Sequence, residues 1–441
     1  MRRLYFLFLV GLIITGVTVF VVAYQPPGDD LRATAAEYGV RPLAPAPDYS
    51  PELVRLGQVL FFDKLISGNQ DIACATCHHP DLATGDGRAL SVGTGGHGLG
   101  MERLGDPARE LVPRNAQPLF NLAEYERALF WDGRVEITAA GVLDTPAHFR
   151  APAELPDMIV AQALFPVTSR DEMRGEYHDE TEIASLSDSN FAGMWSAVMA
   201  RLLANPDYVE MFAAAFPDVP DEQFGIEHFG QAIAAFEVTA FTLTDSAWDR
   251  YLRGDDSALT PEQIAGARLF FGEAGCATCH SGALLTDEAF YNLAVPQIGP
   301  GKTRGAPLDF GRVLVSRDEA DMFRFRTPSL HNVTLTGPYM HSGAFATLEA
   351  VIRHKIDPAA SLESYDPAHL TADEYALLHG DPMVVSALLD TLAPEIGVTP
   401  QLTDAQITQL VAFLGALTDP AAADLDHWVP ERVPSGLPVA D

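Results

Sequence analysis

Four cysteines and two histidines form the most reactive pattern in this sequence. They stand as two Cys-x-x-Cys-His units, at residues 74–78 and 276–280, and both units have Ala-Thr between the cysteines. The two thiols of such a unit add across the vinyl groups of a haem, and the adjoining histidine gives an imidazole nitrogen to the iron. The spacing therefore predicts two covalently attached c-type haems. Haem 1 would be held by Cys74, Cys77 and His78, and haem 2 by Cys276, Cys279 and His280.

Zinc and thiol redox chemistry are the two other uses of paired cysteines. A structural zinc site needs four ligands, and neither unit has a second Cys or His pair at zinc spacing. A thioredoxin-like pair needs a βαβ unit around it, and no such pattern surrounds these cysteines. No cysteine is left over for a disulfide. Haem attachment is therefore the prediction.

The elements that must position these units are predicted to be helices. Similar segments, GQVLFF at residues 57–62 and GARLFF at residues 266–271, precede the two units and resemble the halves of a diverged internal repeat. Each segment is expected to be a helix with an apolar face toward the porphyrin. Residues 191–216 and 229–241 also have helical periodicity. A final helix is predicted to start near Leu402 with a Thr or Asp cap and to cross the first helix of its domain. Its apolar stripe consists of Ile407, Leu410, Val411, Leu414 and Leu417.

The fold class expected from these patterns is mostly α, with two cytochrome-c-like haem domains side by side. We predict an N-terminal haem domain over residues 51–245 and a C-terminal one over residues 246–441. Residues 1–24 are an apolar run preceded by Arg2 and Arg3, which predicts a membrane anchor or a cleaved signal sequence. Residues 25–50 are rich in proline and are expected to be a linker. The body would then lie on the periplasmic side of the inner membrane, or be soluble in the periplasm after cleavage.

The charge of the chain restricts its partners. The formal net charge is -32, from 28 basic and 60 acidic residues. Such a chain would repel nucleic acid, and its acidic surface would attract basic proteins. A small basic cytochrome c or a cupredoxin fits that description as an electron donor, although the charge could serve solubility alone.

From about residue 51 to residue 420 the chain resembles the bacterial dihaem cytochrome c peroxidase and MauG superfamily. Besides the haem units, the similarity depends on further motifs that occur in the family's order. They are PRNA at 113–116, WDGR at 131–134, FPVTSRDEM at 165–173, FRTPSL at 325–330, TGPYMH at 336–341 and TLE at 347–349.

The resemblance implies that haem 1 is the site where hydrogen peroxide reacts. Glu172 takes the position of the family's distal glutamate, and Gln162 and Pro166 complete its distal spacing. A carboxylate within hydrogen-bond reach can move a proton from the inner to the outer peroxide oxygen, so that the O–O bond breaks and water leaves.

Two further residues receive roles from the resemblance. His97 matches a histidine that caps haem 1 in the oxidised peroxidases and leaves when haem 2 is reduced, and its flanking glycines suit a loop that swings. A solvent-exposed loop histidine is the alternative. Trp131 corresponds to the tryptophan between the two haems, where an indole can relay an electron.

A calcium ion between the domains is also implied. Asn115, Thr336 and Pro338 match the residues that hold it, through one side-chain oxygen and two backbone carbonyls. Oxygen ligands suit Ca²⁺, and the absence of a carboxylate predicts modest affinity.

The chain departs from the family at the distal ligand of haem 2. That ligand is a methionine in the peroxidases and a tyrosine in the MauG branch, whereas the matching position here is Lys355. On a helix capped by Thr347, His354 and Lys355 both lie one turn from Val351, so helical geometry does not choose between them. Met340 is the third alternative. A nitrogen ligand would lower the potential of haem 2 relative to a thioether and favour a relay role.

Three functions follow from these residues. The first is reduction of hydrogen peroxide to water with electrons from an external carrier. The second is a MauG-like, peroxide-dependent oxidation of Trp or Tyr residues in a partner protein. The third is electron transfer without catalysis, which the distal residues of haem 1 disfavour. Dimers are common in the family, so the resemblance also allows a homodimer.

Overall fold

The computed structural model describes residues 27–152, 155–302, 306–397 and 400–439. The predicted membrane segment at residues 1–24 lies outside the described residues. Within the described ranges, no helix combines the length and the apolar character needed to cross a membrane.

The fold is mostly α-helical, as predicted, with helices joined by long loops. The helices are α1 (Pro27–Glu37), α2 (Pro51–Phe62), α3 (Cys74–Cys77), α4 (Met158–Ala163), α5 (Phe191–Leu203), α6 (Pro206–Ala215), α7 (Ile226–Phe241), α8 (Ala247–Leu252), α9 (Pro261–Phe271), α10 (Val313–Ser316), α11 (Leu348–Ile356), α12 (Pro358–Glu363), α13 (Ala372–Tyr375), α14 (Pro382–Asp390) and α15 (Asp404–Ala416). Short antiparallel strands form two small sheets, one from β1 (Ala128–Leu129), β2 (Val135–Ile137) and β3 (Leu143–Asp144), the other from β4 (Phe290–Tyr291) and β5 (Phe325–Arg326).

Two pairs of crossing helices form the centres of the molecule. Helix α2 packs on α7, and α9 packs on α15. At each crossing a glycine of the repeated segment makes the contact close. A Cβ atom on Gly57 would lie 1.8 Å from the carbonyl oxygen of Ala232, and one on Gly266 would lie 1.9 Å from that of Gln409. The repeat in the sequence is therefore a repeated helix crossing, and α15 crosses the first helix of its unit as expected.

Each crossing has its own apolar core. The core around α2, α4, α5, α6 and α7 is called here the haem 1 half, and the core around α8, α9, α11 and α15 the haem 2 half. The predicted cap of the last helix is confirmed, since the Thr403 hydroxyl accepts a hydrogen bond from the Gln406 amide at 3.3 Å. Thr347 caps α11 in the same way, through the Ala350 amide at 3.2 Å.

The ends of the chain correct two predicted boundaries. Residues 27–43 are not a linker, because α1 is a helix whose Leu31 and Ala35, together with Val40, are buried in the core of the haem 2 half. At the other end, the last segment crosses back to the haem 1 half. There Leu425 and Val433 are buried in its core, and the Ser435 hydroxyl donates to Asp63 at 2.7 Å. The sequence boundary at residue 245 therefore separates the two central helix pairs but not the two cores.

Candidate active site

Each Cys-x-x-Cys-His unit lines a cavity in its own half. Cys74, Cys77 and His78 line the haem 1 cavity, and the second unit lines the haem 2 cavity. The first unit starts a short helix, α3, whose Thr76 hydroxyl accepts a hydrogen bond from the Ala73 amide at 3.0 Å. This internal cap explains the use of Thr between the cysteines. The second unit forms a 3-10 turn over Cys276–Thr278.

The residues of both cavities fit a covalently bound haem. His78 Nδ1 lies 3.0 Å from the Thr84 carbonyl oxygen, and His280 Nδ1 lies 2.9 Å from that of Leu285. An Nδ1–H that donates to a carbonyl leaves Nε2 free to bind a metal. Burial lowers the pKa of His78, and it lowers that of His280 to about 4, so both rings are neutral. The imidazoles are therefore oriented and protonated as axial iron ligands require.

The four thiols are neutral in the absence of a bound group. Burial raises the pKa of Cys77 to about 12 and that of Cys279 to about 11. The four cysteines form no disulfide. Nor does the described part of the chain contain any group of three or more His, Cys, Asp or Glu side chains placed to hold a metal ion. The structure thus agrees with the choice of haem over zinc.

The distal residues expected at haem 1 come together in one cavity. Gln162 from the end of α4, Pro166 and Glu172 all line the haem 1 cavity with His78. Glu172 lies on a turn of π-helix, Arg170–Arg174, a rare conformation that is frequent at functional sites. The Gln162 Oε1 atom is buried and has no hydrogen-bond partner among the described residues. This orphaned acceptor fits a site that receives a hydrogen-bond donor from outside the chain.

Two cations hold Glu172. Its Oε1 atom lies 2.8 Å from Lys302 Nζ and 3.9 Å from Arg134 Nη2. Burial acts to raise the pKa of Glu172, but Lys302 and Arg134 outweigh it, so the net pKa lies below its ordinary value. Glu172 is therefore a carboxylate at neutral pH and can accept a proton.

Trp131 lies between the two cavities and lines both of them. The indole is buried, and its Nε1–H donates to the Asn115 carbonyl oxygen at 3.0 Å. The WDGR motif is a tight turn that requires Gly133, whose φ is +66° and where a Cβ would lie 2.3 Å from the Phe290 ring. The tertiary structure thus brings Trp131 to the position that the resemblance implies.

His97 is placed outside the haem 1 cavity. Its side chain is exposed, and its backbone makes hydrogen bonds of 2.9 and 2.8 Å with Leu104. It is absent from the described residues that line the cavity. Two glycines of the same loop, Gly95 and Gly98, have φ of +83° and +89°. Ligation of haem 1 by His97 stays a prediction that requires this loop to move.

The structure distinguishes Lys355 from His354. Lys355 lines the haem 2 cavity, with its Nζ 3.0 Å from the Ala274 carbonyl oxygen. His354 is fully buried behind α11, where its Nε2 lies 2.8 Å from the Leu293 carbonyl and its Nδ1 lies 3.0 Å from the Ser361 hydroxyl. Both ring nitrogens of His354 are therefore occupied, and the alternative that named it as the haem 2 ligand is corrected. Met340 also lines the haem 2 cavity.

The three residues implied for calcium all line the haem 2 cavity. Asn115, Thr336 and Pro338 line the same cavity, although more than 200 positions separate the first from the other two. The side-chain amide of Asn115 donates a hydrogen bond to the Arg88 carbonyl oxygen at 2.8 Å. The backbone N–H of Asn115 donates to the His341 carbonyl oxygen at 2.8 Å. The amide side chain is thereby fixed in orientation.

Sequence reasoning missed several side chains of the cavities, among them Glu237 and Lys302 at haem 1, and Tyr291 at haem 2. Glu237 had a signal, because it is a lone carboxylate in the apolar stretch of α7. Lys302 had a weaker one, because it is one of only three lysines in the chain. Tyr291 lies on a two-residue strand, and no feature of the sequence distinguishes it.

Glu237 predicts a pH dependence of stability. Burial raises its pKa to about 8, and its Oε2 atom has no hydrogen-bond partner in the part of the chain that the structure describes. The folded protein therefore keeps the proton that the unfolded chain loses near pH 4.5, so stability falls as pH rises from about 4.5 through 8. We expect Glu237→Gln to remove this loss, worth roughly 3–5 kcal/mol at pH 8.

Denaturant unfolding of the haem-loaded protein at pH 5 and pH 8 measures this effect. The parent should lose more stability than the variant between the two pH values. Parallel pH profiles would show that Glu237 does not titrate over this range in the folded protein.

Comparisons with known proteins agree with this geometry. A family model described as di-haem cytochrome c peroxidase matches residues 51–257. The methylamine utilization protein MauG of Methylorubrum extorquens is 33% identical over 74% of this chain and 76% of its own length. The cytochrome c peroxidase Ccp of Escherichia coli is 32% identical over 73% of this chain, a match that spans 57% of that protein.

Solved structures agree as well. The crystal structure of a MauG-like protein associated with microbial copper homeostasis is 28% identical, with a TM-score of 0.58, and the match covers 88% of this chain and 95% of that one. The diheme peroxidase BthA of Burkholderia thailandensis, at 21% identity, shares the fold with a TM-score of 0.59, over 85% of this chain and 88% of its own.

Proposed function

This chain belongs to the di-haem cytochrome c peroxidase family, and from that membership we propose that it reduces hydrogen peroxide to water with electrons from a small carrier protein. As a member it is a peroxidase-type oxidoreductase with two haem c groups. The third function, electron transfer without catalysis, is thereby set aside. One observation carries the proposal. A carboxylate, an orphaned amide oxygen and an oriented imidazole share one cavity, at Glu172, Gln162 and His78.

The chain's own residues would supply the proton chemistry. When bound, the haem supplies an iron that exchanges electrons with peroxide. The Glu172 carboxylate takes the proton of the inner peroxide oxygen and gives it to the outer one, which departs as water. The Gln162 Oε1 atom accepts a hydrogen bond from the bound peroxide and orients it. Two electrons and two further protons complete the reduction of one peroxide to two waters.

Electrons would reach haem 1 from haem 2 through Trp131. Its indole lines both cavities, so it shortens the gap that an electron must cross. We assign the external electron donor to a basic protein, a cytochrome c or a cupredoxin, because a chain of net charge -32 attracts such a protein. An exported body, anchored by residues 1–24 or released by cleavage, would meet these donors in the periplasm.

Peroxide consumption with a reduced basic cytochrome c tests this function. The haem-loaded protein should oxidise two equivalents of cytochrome per peroxide, at a rate that falls as ionic strength rises. An acidic cytochrome of similar potential is the matched control and should react more slowly. Failure to oxidise any small carrier protein would contradict the proposal.

The MauG-like function is the second candidate, and Lys355 is the observation that favours it. The matching position carries neither Met nor Tyr, and the amine lines the haem 2 cavity. A nitrogen ligand lowers a haem potential relative to a thioether. A low-potential haem 2 is hard to reduce with an ordinary cytochrome. It would instead share with haem 1 the two oxidising equivalents supplied by peroxide, which two electrons from Trp or Tyr residues of a partner protein would then reduce. Peroxide consumption that depends on such a partner protein, and not on a reduced carrier, would select this candidate.

The ligand proposal predicts a redox shift. We expect Lys355→Met to raise the midpoint potential of haem 2 by on the order of 0.1–0.3 V, because a thioether replaces an amine within the roughly 0.8 V range that axial ligands span. Spectroelectrochemical titration measures both haems. His354→Gln is the matched control and should leave the potential nearly unchanged, since His354 faces away from the cavity. A parent haem 2 already at a strongly positive potential would contradict Lys355 ligation.

We also propose a calcium ion at Asn115, Thr336 and Pro338. The ligands would be the Asn115 side-chain oxygen and two backbone carbonyls, with waters completing the shell. The support is that these three distant residues line the same cavity. A bound cation there would link segments of both halves.

A further inference from the structure

Lys302 enters the haem 1 cavity from the other half of the molecule. It lies in the loop after β4, and earlier residues of that loop, Asn292, Leu293 and Val295, line the haem 2 cavity. Its Nζ atom is 2.8 Å from Glu172 Oε1 and 3.5 Å from the Ser169 hydroxyl. The Lys302 side chain is 19% exposed, so this ion pair is largely shielded from solvent. A shielded pair is stronger than one at the surface.

The position of Lys302 is a boundary between two cavities. One is the haem 1 cavity, and the other is an outer polar cavity lined among others by Ser169, Asp171 and Tyr177. Of the residues that the structure describes, Lys302 alone lines both cavities. The ammonium therefore stands where a small polar molecule passing from the outer cavity would meet Glu172.

Among the described residues, Lys302 is also the closest cation to Glu172. Arg134 is farther, at 3.9 Å, and it is shared with Asp132 at 3.3 Å and stacked 3.5 Å from the Phe130 ring centre. The neighbouring Asp171 carboxylate lies 4.0 Å from Lys302 and repels Glu172. The other titratable groups that act on Glu172 are the neutral Cys77 thiol and His78 imidazole. Without Lys302, burial and Asp171 would both favour the neutral form of Glu172, opposed among the described residues by Arg134 and by the hydrogen bond from the Ser169 hydroxyl.

We propose that Lys302 is a positioning residue of peroxide reduction, which holds Glu172 at the mouth of the haem 1 cavity and keeps it as the carboxylate that accepts the peroxide proton. This inference rests on the proposed peroxidase function and adds a residue to it. It also makes the haem 1 site dependent on the haem 2 half, because the amine belongs to a loop of that half.

The variants Lys302→Met and Lys302→Arg test the proposal in the haem-loaded protein. The neutral side chain should lower kcat/KM for peroxide about 10- to 100-fold at pH 5–6 and much less at pH 9, because Glu172 then ionises only at higher pH. The acid limb of the pH profile should move up by one unit or more. Lys302→Arg retains the charge and should keep the parent profile. A purely structural role would give the same loss at every pH.

A readout apart from turnover is the absorption spectrum of ferric haem 1 between pH 4 and 9. Lys302→Met should show a transition inside this range that is absent from the parent and from the double variant Glu172→Gln, Lys302→Met. Lys302→Gln serves if the Met variant unfolds, and thermal melting checks both. An unmoved acid limb, or a spectral transition that survives loss of Glu172, overturns the proposal.

The single variant Glu172→Gln separates the two proposals. If Glu172→Gln leaves peroxide turnover intact, the proposed function of Glu172 fails, whatever Lys302 does. If Glu172→Gln abolishes turnover and Lys302→Met leaves the pH profile unchanged, only the role of Lys302 fails.

Discussion

Replacing Glu172 by Gln is expected to lower kcat/KM for hydrogen peroxide by about 10²–10⁴-fold, the usual contribution of a positioned proton-transfer group. Gln keeps the size of the side chain and its place in the haem 1 cavity but cannot accept the peroxide proton. The loss should appear at every pH at which the parent is active, since the parent carboxylate is held ionised by Lys302 and Arg134. Stopped-flow mixing of the half-reduced protein with peroxide measures the effect directly.

The control for this variant is Asp171→Asn, which removes the adjacent carboxylate. Asp171 lines the outer polar cavity and not the haem 1 cavity, so its loss should change the rate by less than about tenfold. The haem absorption spectra of both variants should match the parent. A Glu172→Gln protein with parental kinetics would assign the proton transfer to another group.

Replacing Arg114 by Met is expected to destabilise the protein by about 3–5 kcal/mol, the usual result of breaking a buried ion pair. Arg114 Nη1 lies 2.6 Å from Asp132, and Arg114 Nε lies 2.6 Å from Asp309, with all three side chains buried. The Met side chain would leave the buried Asp309 carboxylate without its cation. The buried Asp132 carboxylate would keep only Arg134, 3.3 Å away, as an ion-pair partner among the described residues. Asp132 lies in the N-terminal part of the chain and Asp309 in the C-terminal part. This cluster therefore also joins the two parts of the chain.

The pH dependence of the Arg114 effect has a definite sign. Burial acts to raise the pKa values of Asp132 and Asp309, but Arg114 outweighs it and holds both below their ordinary values. These carboxylates therefore stabilise the parent above about pH 4, and this stability is lost as pH falls through their folded pKa values. In Arg114→Met the same carboxylates favour protonation, so its deficit should be largest at pH 7 and smaller at pH 4.5.

Denaturant unfolding at the two pH values measures this deficit. The triple variant with Arg114→Met, Asp132→Asn and Asp309→Asn is the control, because it removes the uncompensated charges and should recover part of the stability. A deficit that is equal at both pH values would mean that lost packing of Arg114, and not the buried carboxylates, causes the effect.

The local part of the site could be predicted from the sequence. The haem units depend on a five-residue spacing, the caps at Thr347 and Thr403 depend on neighbours three positions away, and the distal trio depends on a spacing of four and then six residues. The haem units and the caps are fixed by covalent connection and helix geometry, so one sequence is enough to find them. The distal trio was identified through the resemblance to the family.

The predicted linker and domain boundaries were wrong because they depend on contacts between distant parts of the chain. The proline content of residues 25–50 predicted a linker, yet Leu31 and Ala35 of α1 pack against an apolar surface of the haem 2 half. The C-terminal segment that contains Leu425 and Val433 packs against the core of the haem 1 half. Burial is decided by surfaces that lie hundreds of residues away, which composition does not report.

By itself, the sequence determined two haem attachment sites, a mostly helical fold with a diverged internal repeat, and a carboxylate at peroxidase spacing. The tertiary structure decided between His354 and Lys355, which occupy adjacent positions on α11 but face opposite environments. It also brought Lys302 to Glu172 across 130 positions of sequence. The physical reason is that periodicity fixes which face of an element a residue lies on, whereas only the packing of distant elements fixes what that face meets.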